Sequence, residues 1–135
     1  MSEPVLFRDR SRPAQIVLGG VVPLLLGAVA GILLGVSSGV YYAYGLVIAI
    51  LTILSGFEHL DGWGGADRGL VGGALYGIGL LVAHAIAGTD ATVSLGSFPP
   101  LLAVLTALIG MLLAALGGRL ARLRRERAGA RASVA

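Results

Sequence analysis

The sequence predicts an all-α membrane protein with four transmembrane helices arranged as two hairpins. Of its 135 residues 56% are apolar and only 13% are charged, whereas an average soluble domain has about 25% charged residues. The mean hydropathy is +0.91. The 22 glycines favour the same class, because Gly costs about 1 kcal/mol inside a soluble helix but lets transmembrane helices approach closely.

The first half of the chain predicts two spans. An apolar run begins at Ala14 and continues, interrupted only by small polar residues, to Phe57. About 20 residues cross the hydrocarbon core of a bilayer, so a run of this length folds back on itself. Its one cluster of turn-forming residues is Ser37-Ser38-Gly39, which marks the turn. The predicted spans are residues 14–36 and 40–57.

The second half predicts a loop, two further spans and a polar tail. Segment 58–68 is too polar for hydrocarbon and too rich in glycine for a stable helix, so it is predicted to be a loop. Asp67, near its end, is expected to cap the third span, residues 69–87. The fourth span, residues 100–118, starts with proline, which is tolerated in a first helical turn. The tail, residues 119–135, is expected to continue this helix.

Arginine placement predicts the topology. Nine of the ten arginines lie in the polar N-terminal segment 1–13 or in the tail 119–135. By the positive-inside rule both ends are cytoplasmic, and an even number of spans agrees with this. The first apolar run is longer than the roughly 7–15 residues of a signal-peptide core, so it is expected to remain in the mature chain. The basic tail is also expected to attract anionic lipid headgroups.

Small residues recur at intervals of four in three of the spans. Each set forms a smooth ridge on one helix face, and helices in lipid associate by close van der Waals contact along such ridges. The residues predicted to pack in this way are Gly27, Gly31 and Gly35, then Gly69, Gly73 and Gly77, and finally Gly110, Ala114 and Gly118. The ridges serve either packing within the chain or association with a second copy or a partner protein. Three ridges exceed what one four-helix contact requires, which favours an oligomer.

Pro23 lies inside the first span. Proline removes a backbone donor and clashes with the preceding turn, so a freed carbonyl near Gly19 and a kink are predicted. The kink serves as a hinge, as in transporters, or is simply tolerated because neighbouring groups satisfy the freed backbone.

His84 is the candidate functional residue inside a span, because an ionisable group in hydrocarbon is costly. It lies seven residues after Gly77, so it is expected to face the same way as the glycine ridge, into the bundle. Two interpretations stay open. The imidazole makes a structural hydrogen bond between helices, or it relays protons or contacts a ligand with Asp90 close by.

The polar segment supplies a second group of candidates. Glu58, His59 and Asp61 place two carboxylates and an imidazole within four residues, which suits contact with a hard cation or with protons. The alternative is capping and anchoring at the headgroups. His84 should lie near the opposite membrane face, so a metal site shared by the two histidines is not expected. The sequence has no Cys and no complete cofactor motif.

Three functional classes follow. An intramembrane enzyme is not expected, because no nucleophile and base match at one depth. A small oligomeric ion or proton channel or transporter would use Glu58, Asp61 and His84. The centres of the other spans offer only Thr52, Thr106 and small residues as a polar path, so a non-catalytic accessory, scaffold or self-associating subunit is favoured.

The expected surroundings follow from this class. The partners are the lipid bilayer and either a second copy or a larger membrane complex, and no nucleic acid, metal or cofactor is expected. The expected location is the inner or plasma membrane of a prokaryotic cell.

Overall fold

The computed structural model describes residues 5–133. The long elements are the helices α1 (Arg12–Leu34), α2 (Ser38–Gly56), α3 (Gly62–Ala87) and α4 (Pro100–Ala132). A short 3-10 turn, Phe7–Asp9, precedes α1, and the described residues contain no strand. Each of the four helices is long and apolar enough to span a membrane. The all-α class with four helices of this kind is therefore confirmed.

Both terminal segments lie at one end of the bundle. The amide of Phe7 donates to the Glu58 carbonyl over 3.0 Å, and Arg125 Nη2 donates to the Phe57 carbonyl over 3.5 Å. The α2–α3 connection therefore meets the N-terminal segment and the polar part of α4 at this end, here called the terminal end. At the opposite, distal end the Thr92 amide donates to the Leu34 carbonyl over 2.9 Å. The four helices thus run alternately up and down.

The central helix is α3. It packs closely along α1 on one side and along α4 on the other, whereas α2 packs mainly on α4 and touches α1 and α3 only lightly. A cluster of fully buried side chains, Ala30, Leu34 and Leu80, lies between α1 and α3. The Tyr44 hydroxyl ties α2 to α1 by donating to the Leu26 carbonyl over 2.9 Å. The bundle is therefore a three-helix framework with a more loosely attached fourth helix.

A π-helical turn, Val17–Val21, lies in α1 just before Pro23. In this wider turn the Val22 amide donates to the Val17 carbonyl, so the Leu18 carbonyl would need the amide of Pro23, which has no N–H. Arg68 of α3 supplies the donor instead, from Nη2 over 3.3 Å. The sequence predicted a freed carbonyl near Gly19. The carbonyl that Arg68 satisfies is that of Leu18, one residue earlier, because hydrogen bonds in a π turn reach back five residues instead of four.

The start of α3 corrects two predictions. Residues 62–68 were expected to be loop, but α3 begins at Gly62. Its N-cap is Asp61 and not Asp67, since an Asp61 carboxylate oxygen accepts from the Gly64 amide over 2.9 Å. A Cβ on Gly65 would overlap the Ala114 carbonyl of α4. Glycine here permits close helix packing and does not mark a loop.

The polar tail continues α4 to Ala132, as the sequence predicted. Arg122 Nε and a Glu126 carboxylate oxygen form an ion pair of 2.8 Å one turn apart on its exposed surface. The outer ends of the predicted polar segments, residues 1–4 and 134–135, lie outside the described residues.

Candidate functional site

The glycine ridge of α1 faces α3. A Cβ on Gly27 would overlap the Tyr76 carbonyl, and one on Gly31 would overlap the Leu80 carbonyl. Gly35, at the distal end, lies against the Thr89 side chain. Backbone therefore meets backbone along this ridge, and a second protein has no access to it.

The ridges of α3 and α4 face each other. Gly69 and Gly110 lie against each other's carbonyls, and Gly73 lies against the Thr106 carbonyl. The other three ridge positions, Gly77, Ala114 and Gly118, are buried. Gly77 meets Ala103 and Thr106, and Gly118 meets the Asp61 carbonyl. Ala114 packs on α3 through its carbonyl at Gly65 and its side chain at Gly69. All three ridges are thus occupied by contacts within the chain.

The loose packing of α2 leaves a cleft between it and the other helices. The cleft has a volume of about 640 Å³ and is mainly apolar, within the roughly 300–1,000 Å³ of typical ligand sites. It extends along α2 from Tyr41, toward the distal end, to Ser55, near the terminal end. The fourteen residue-to-residue rises from Tyr41 to Ser55 correspond to about 21 Å of helix. All four helices contribute to its walls, through residues that include Leu18, Leu26, Gly45, Ala49, Gly72 and Leu113.

The threonine and serine hydroxyls of the cleft are used by their own helices. Thr52 donates to the Ile48 carbonyl over 2.8 Å, Ser55 to the Thr52 carbonyl over 2.8 Å, and Thr106 to the Ala103 carbonyl over 3.0 Å. These bonds satisfy the hydroxyl donors locally and leave the walls largely non-polar. Among the described residues that line the cleft, Arg68 is the only one with a formal charge.

Arg68 lies at the terminal end of the cleft, beneath the N-terminal segment. Its guanidinium carbon is 3.9 Å from the centre of the Phe7 ring, a cation–π distance. Besides the bond from Nη2 to the Leu18 carbonyl, Nη1 is buried and has no hydrogen-bond partner among residues 5–133. None of the ion pairs in this part of the chain includes Arg68. Arg68 therefore has no direct ion-pair partner there, although the Glu58 carboxylate lies near enough to act on its charge.

The N-terminal segment forms a strap across the α2–α3 connection. Arg10 Nη2 pairs with a Glu58 carboxylate oxygen at 2.9 Å, and the Phe7 and His59 rings lie 5.7 Å apart between centres. Burial, and then the nearby charge of Arg68, lower the pKa of His59 below its ordinary 6.5. This shift favours the neutral form of His59 at pH 7. Because Arg10 neutralises Glu58, the cluster keeps the single positive charge of Arg68.

The candidates named from the sequence are only partly brought together. Glu58 and His59 lie in the strap contact, and the adjacent Asp61 is exposed and caps α3. His84 lies in the last turn of α3, 22 residues or about 33 Å from Gly62. Its Nδ1 is buried without a partner among the described residues. Within residues 5–133, no three His, Asp or Glu side chains are grouped so as to hold a metal ion.

Three residues of the site, Phe7, Arg10 and Arg68, were missed by sequence reasoning. A signal existed for Arg68, because it is the one arginine outside the two terminal clusters and directly precedes an apolar run. Phe7 and Arg10 acquire their contacts only when the N-terminal segment folds over the α2–α3 connection, about 50 residues away, and no local pattern encodes that.

The geometry defines a class of protein, a helical bundle with four helices of membrane-spanning length and an apolar cleft beside one of them. Comparison with protein-family models, curated proteins and solved structures found no match for this chain. The packing, the cleft and the charge cluster are therefore the basis on which a function is proposed.

Proposed function

We propose that this chain is a multi-pass membrane protein that acts as a non-catalytic accessory or scaffold subunit, with α2 as its contact element. The observation that carries this proposal is the contrast in burial between helices. All three small-residue ridges are used in contacts within the chain, mainly between α1, α3 and α4, whereas α2 buries only Gly56 of its 19 residues, against Ala114 of α4. A partner helix or a second copy would therefore meet the exposed face of α2, which includes Val47, Ile50 and Leu54.

The arginines support an orientation with the terminal end in the cytoplasm. Both arginine clusters belong to segments that meet at this end, and basic residues beside spans are retained on the cytoplasmic side. Trp63, also at this end, is 81% exposed, as suits an aromatic side chain at headgroup level. The cell membrane of a prokaryote is the corresponding location.

Transport through Glu58, Asp61 and His84 is less well supported by the geometry. The first two lie at the terminal end, and His84 lies about 33 Å along α3 from its first residue. The cleft between these ends is walled mainly by apolar side chains, with tyrosines and with Thr and Ser hydroxyls bonded within their own helices. An ion crossing the bundle would meet few groups able to replace its hydration shell.

Ion flux into liposomes tests the choice between these classes. Vesicles with the purified wild-type protein are expected to be as tight to protons and monovalent cations as empty vesicles. The Glu58→Gln and His84→Ala variants should behave like the wild type. Flux above the empty-vesicle rate that falls in either variant would replace the accessory proposal with transport.

A photo-crosslinking amino acid tests the contact role of α2. At Ile50, exposed on α2, it is expected to give a protein adduct in native membranes, and the mass of the adduct distinguishes a second copy from another protein. The matched control is Leu112, 64% exposed on α4, which should crosslink to lipid only. Equal adducts from both positions, or lipid adducts alone, would contradict a contact role for α2.

A further inference from the structure

The cleft and the cluster at its terminal end form one continuous feature. Arg68 lines the cleft and also lies under the Phe7 ring. The apolar space therefore begins at a positive charge and continues for about 21 Å toward the distal end. A ligand that matches this arrangement has an anionic group at one end and a long apolar chain.

The dimensions fit one acyl chain of a bilayer lipid. The hydrocarbon core is about 30 Å thick, so one leaflet contributes about 15 Å, less than the length of the cleft. The 26 residues of α3 span about 39 Å, which exceeds the core by about 9 Å. Arg68 lies six residues, or about 9 Å, after the start of α3. In a centred bundle it would lie a few ångströms inside the hydrocarbon boundary, within reach of a lipid phosphate.

The charge also needs a partner at that depth. An unpaired guanidinium near the hydrocarbon core is costly, and no carboxylate of the described residues forms an ion pair with it. Glu58 acts on Arg68 through its charge only, because its Oε1 pairs with Arg10 and it forms no ion pair with Arg68. Arginine binds phosphate oxygens through two parallel N–H donors, and Arg68 has a buried Nη1 without a partner in residues 5–133.

Lateral access favours a phospholipid over a soluble anion. Since α2 touches α1 only lightly, the cleft lies beside the seam between these helices, where a lipid chain can enter from the bilayer. The second chain of the lipid then stays outside among its neighbours. The Phe7 ring covers the guanidinium, so a phosphate would take the place of this ring when it pairs with Nη1.

We propose that the cleft binds one anionic phospholipid of the leaflet at the terminal end. Its phosphate pairs with Arg68 in competition with Phe7, and one acyl chain lies along the groove between α2 and the framework. This site does not depend on the accessory role proposed above, because a transporter with the same bundle would carry the same cleft.

Native mass spectrometry of the full chain, released from nanodiscs of phosphatidylglycerol and phosphatidylcholine in equal amounts, tests the headgroup. The wild type is expected to retain one phosphatidylglycerol with about tenfold preference, equivalent to about 1.4 kcal/mol. Arg68→Gln should reduce the preference to near parity, and Arg68→Lys should keep part of it. Arg122→Gln, which removes an exposed arginine of the tail, is the matched control and should resemble the wild type. Equal retention of both lipids by the wild type, or equal effects of Arg68→Gln and Arg122→Gln, would overturn the proposal.

The acyl chain is tested by filling the cleft. Gly45 lines the cleft and has open space beside it, so Gly45→Leu is expected to fold and to lose the retained lipid. Gly20 also faces open space but is not part of the cleft wall, and Gly20→Leu should retain lipid normally. Phe7→Ala should keep at least the wild-type preference, because it removes a competitor for the guanidinium.

Three results would contradict this assignment. Retention that survives Gly45→Leu would place the lipid elsewhere. Loss of the preference in Phe7→Ala would mean that the strap, and not the guanidinium, selects the lipid. If the wild type prefers palmitate over phosphatidylglycerol in nanodiscs that contain both, the ligand is a fatty acid and the phospholipid assignment is wrong.

Discussion

The α3–α4 contact and the middle of α2 show two opposite uses of glycine in one chain. Only near the terminal end does α2 pack as closely, where Gly56 meets the Ala114 carbonyl of α4. Along α3 and α4 the glycines bring backbone against backbone, so that a Cβ on Gly73 would overlap the Thr106 carbonyl. On α2 a Cβ on Gly45 would meet nothing within 4 Å. Close approach in lipid depends on small residues on both facing surfaces. Glycine on one helix alone leaves space, and that space is the cleft.

The largest expected effect comes from adding a methyl group to the tight contact. Gly73→Ala should lower the free energy of unfolding by about 1–3 kcal/mol, because α3 and α4 must separate to admit the Cβ. Gly45→Ala, the control on α2, should leave stability unchanged or raise it slightly, since Ala has the higher helix propensity. Steric-trapping measurements of unfolding in bicelles would show the difference, and equal effects of the two substitutions would contradict the contrast between the helices.

A smaller effect is expected at the start of α3. The Asp61 side chain accepts from the Gly64 amide, so Asp61→Ala should cost about 1 kcal/mol. Asp61→Asn retains a capping oxygen and should restore most of the loss. Asp67→Ala should have little effect, because Asp67 is exposed within the helix and is not its cap. A greater loss from Asp67→Ala than from Asp61→Ala would mean that α3 begins near the position first predicted from the sequence.

The strap is expected to add about 0.5–1 kcal/mol through the pairing of Arg10 with Glu58, the upper part of the range for a partly exposed ion pair. The coupling is measured by a double-mutant cycle of Arg10→Gln and Glu58→Gln on unfolding. The Arg122–Glu126 pair, which is more exposed, is the control and should show weaker coupling. Equal coupling energies would indicate that the strap does not hold the N-terminal segment in place.

The smallest effect is a dependence of stability on pH through His59. Burial and Arg68 lower the pKa of His59 in the folded state, so the unfolded chain binds the proton more readily. The contribution of His59 to the free energy of unfolding should therefore be fully present above pH 6.5. It should decrease as the pH falls below that value, until the lower pKa of the folded state is reached. In His59→Gln this part of the pH dependence should be absent. An unchanged slope in the variant would assign it to another group.

Much of the architecture follows from the sequence because hydropathy alone determines it. The lengths of the apolar runs predicted four helices, and the helical continuation of the tail was also expected. The predicted start of α3 was wrong because Gly62, Gly64 and Gly65 were interpreted as loop residues, on the basis of the conformational freedom of glycine. Two of them lie against α4, at Arg119 and Ala114. A single sequence does not show which helix a glycine will face.

The cleft could not be predicted for a related reason. Its existence depends on how far α2 lies from α1 and α3, a distance set by packing between segments remote in sequence. The candidates Glu58 and His59 were found because charged groups between apolar runs are conspicuous. Arg68 was treated only as part of the predicted loop. Its proposed role depends on contacts with Phe7 and Leu18, which are remote in sequence, and on its position in the cleft wall.

Distances between spin labels in nanodiscs show whether α2 is loosely attached to a close framework of α1, α3 and α4. The chain has no Cys, so pairs of introduced cysteines label cleanly at the exposed positions Val29 of α1, Val47 of α2 and Leu112 of α4. We expect a narrow distance distribution for Val29 with Leu112 and a broader one for Val47 with Leu112. Filling the cleft by Gly45→Leu should alter only the second pair. Equally narrow distributions for both pairs, unaffected by Gly45→Leu, would contradict a loosely attached α2.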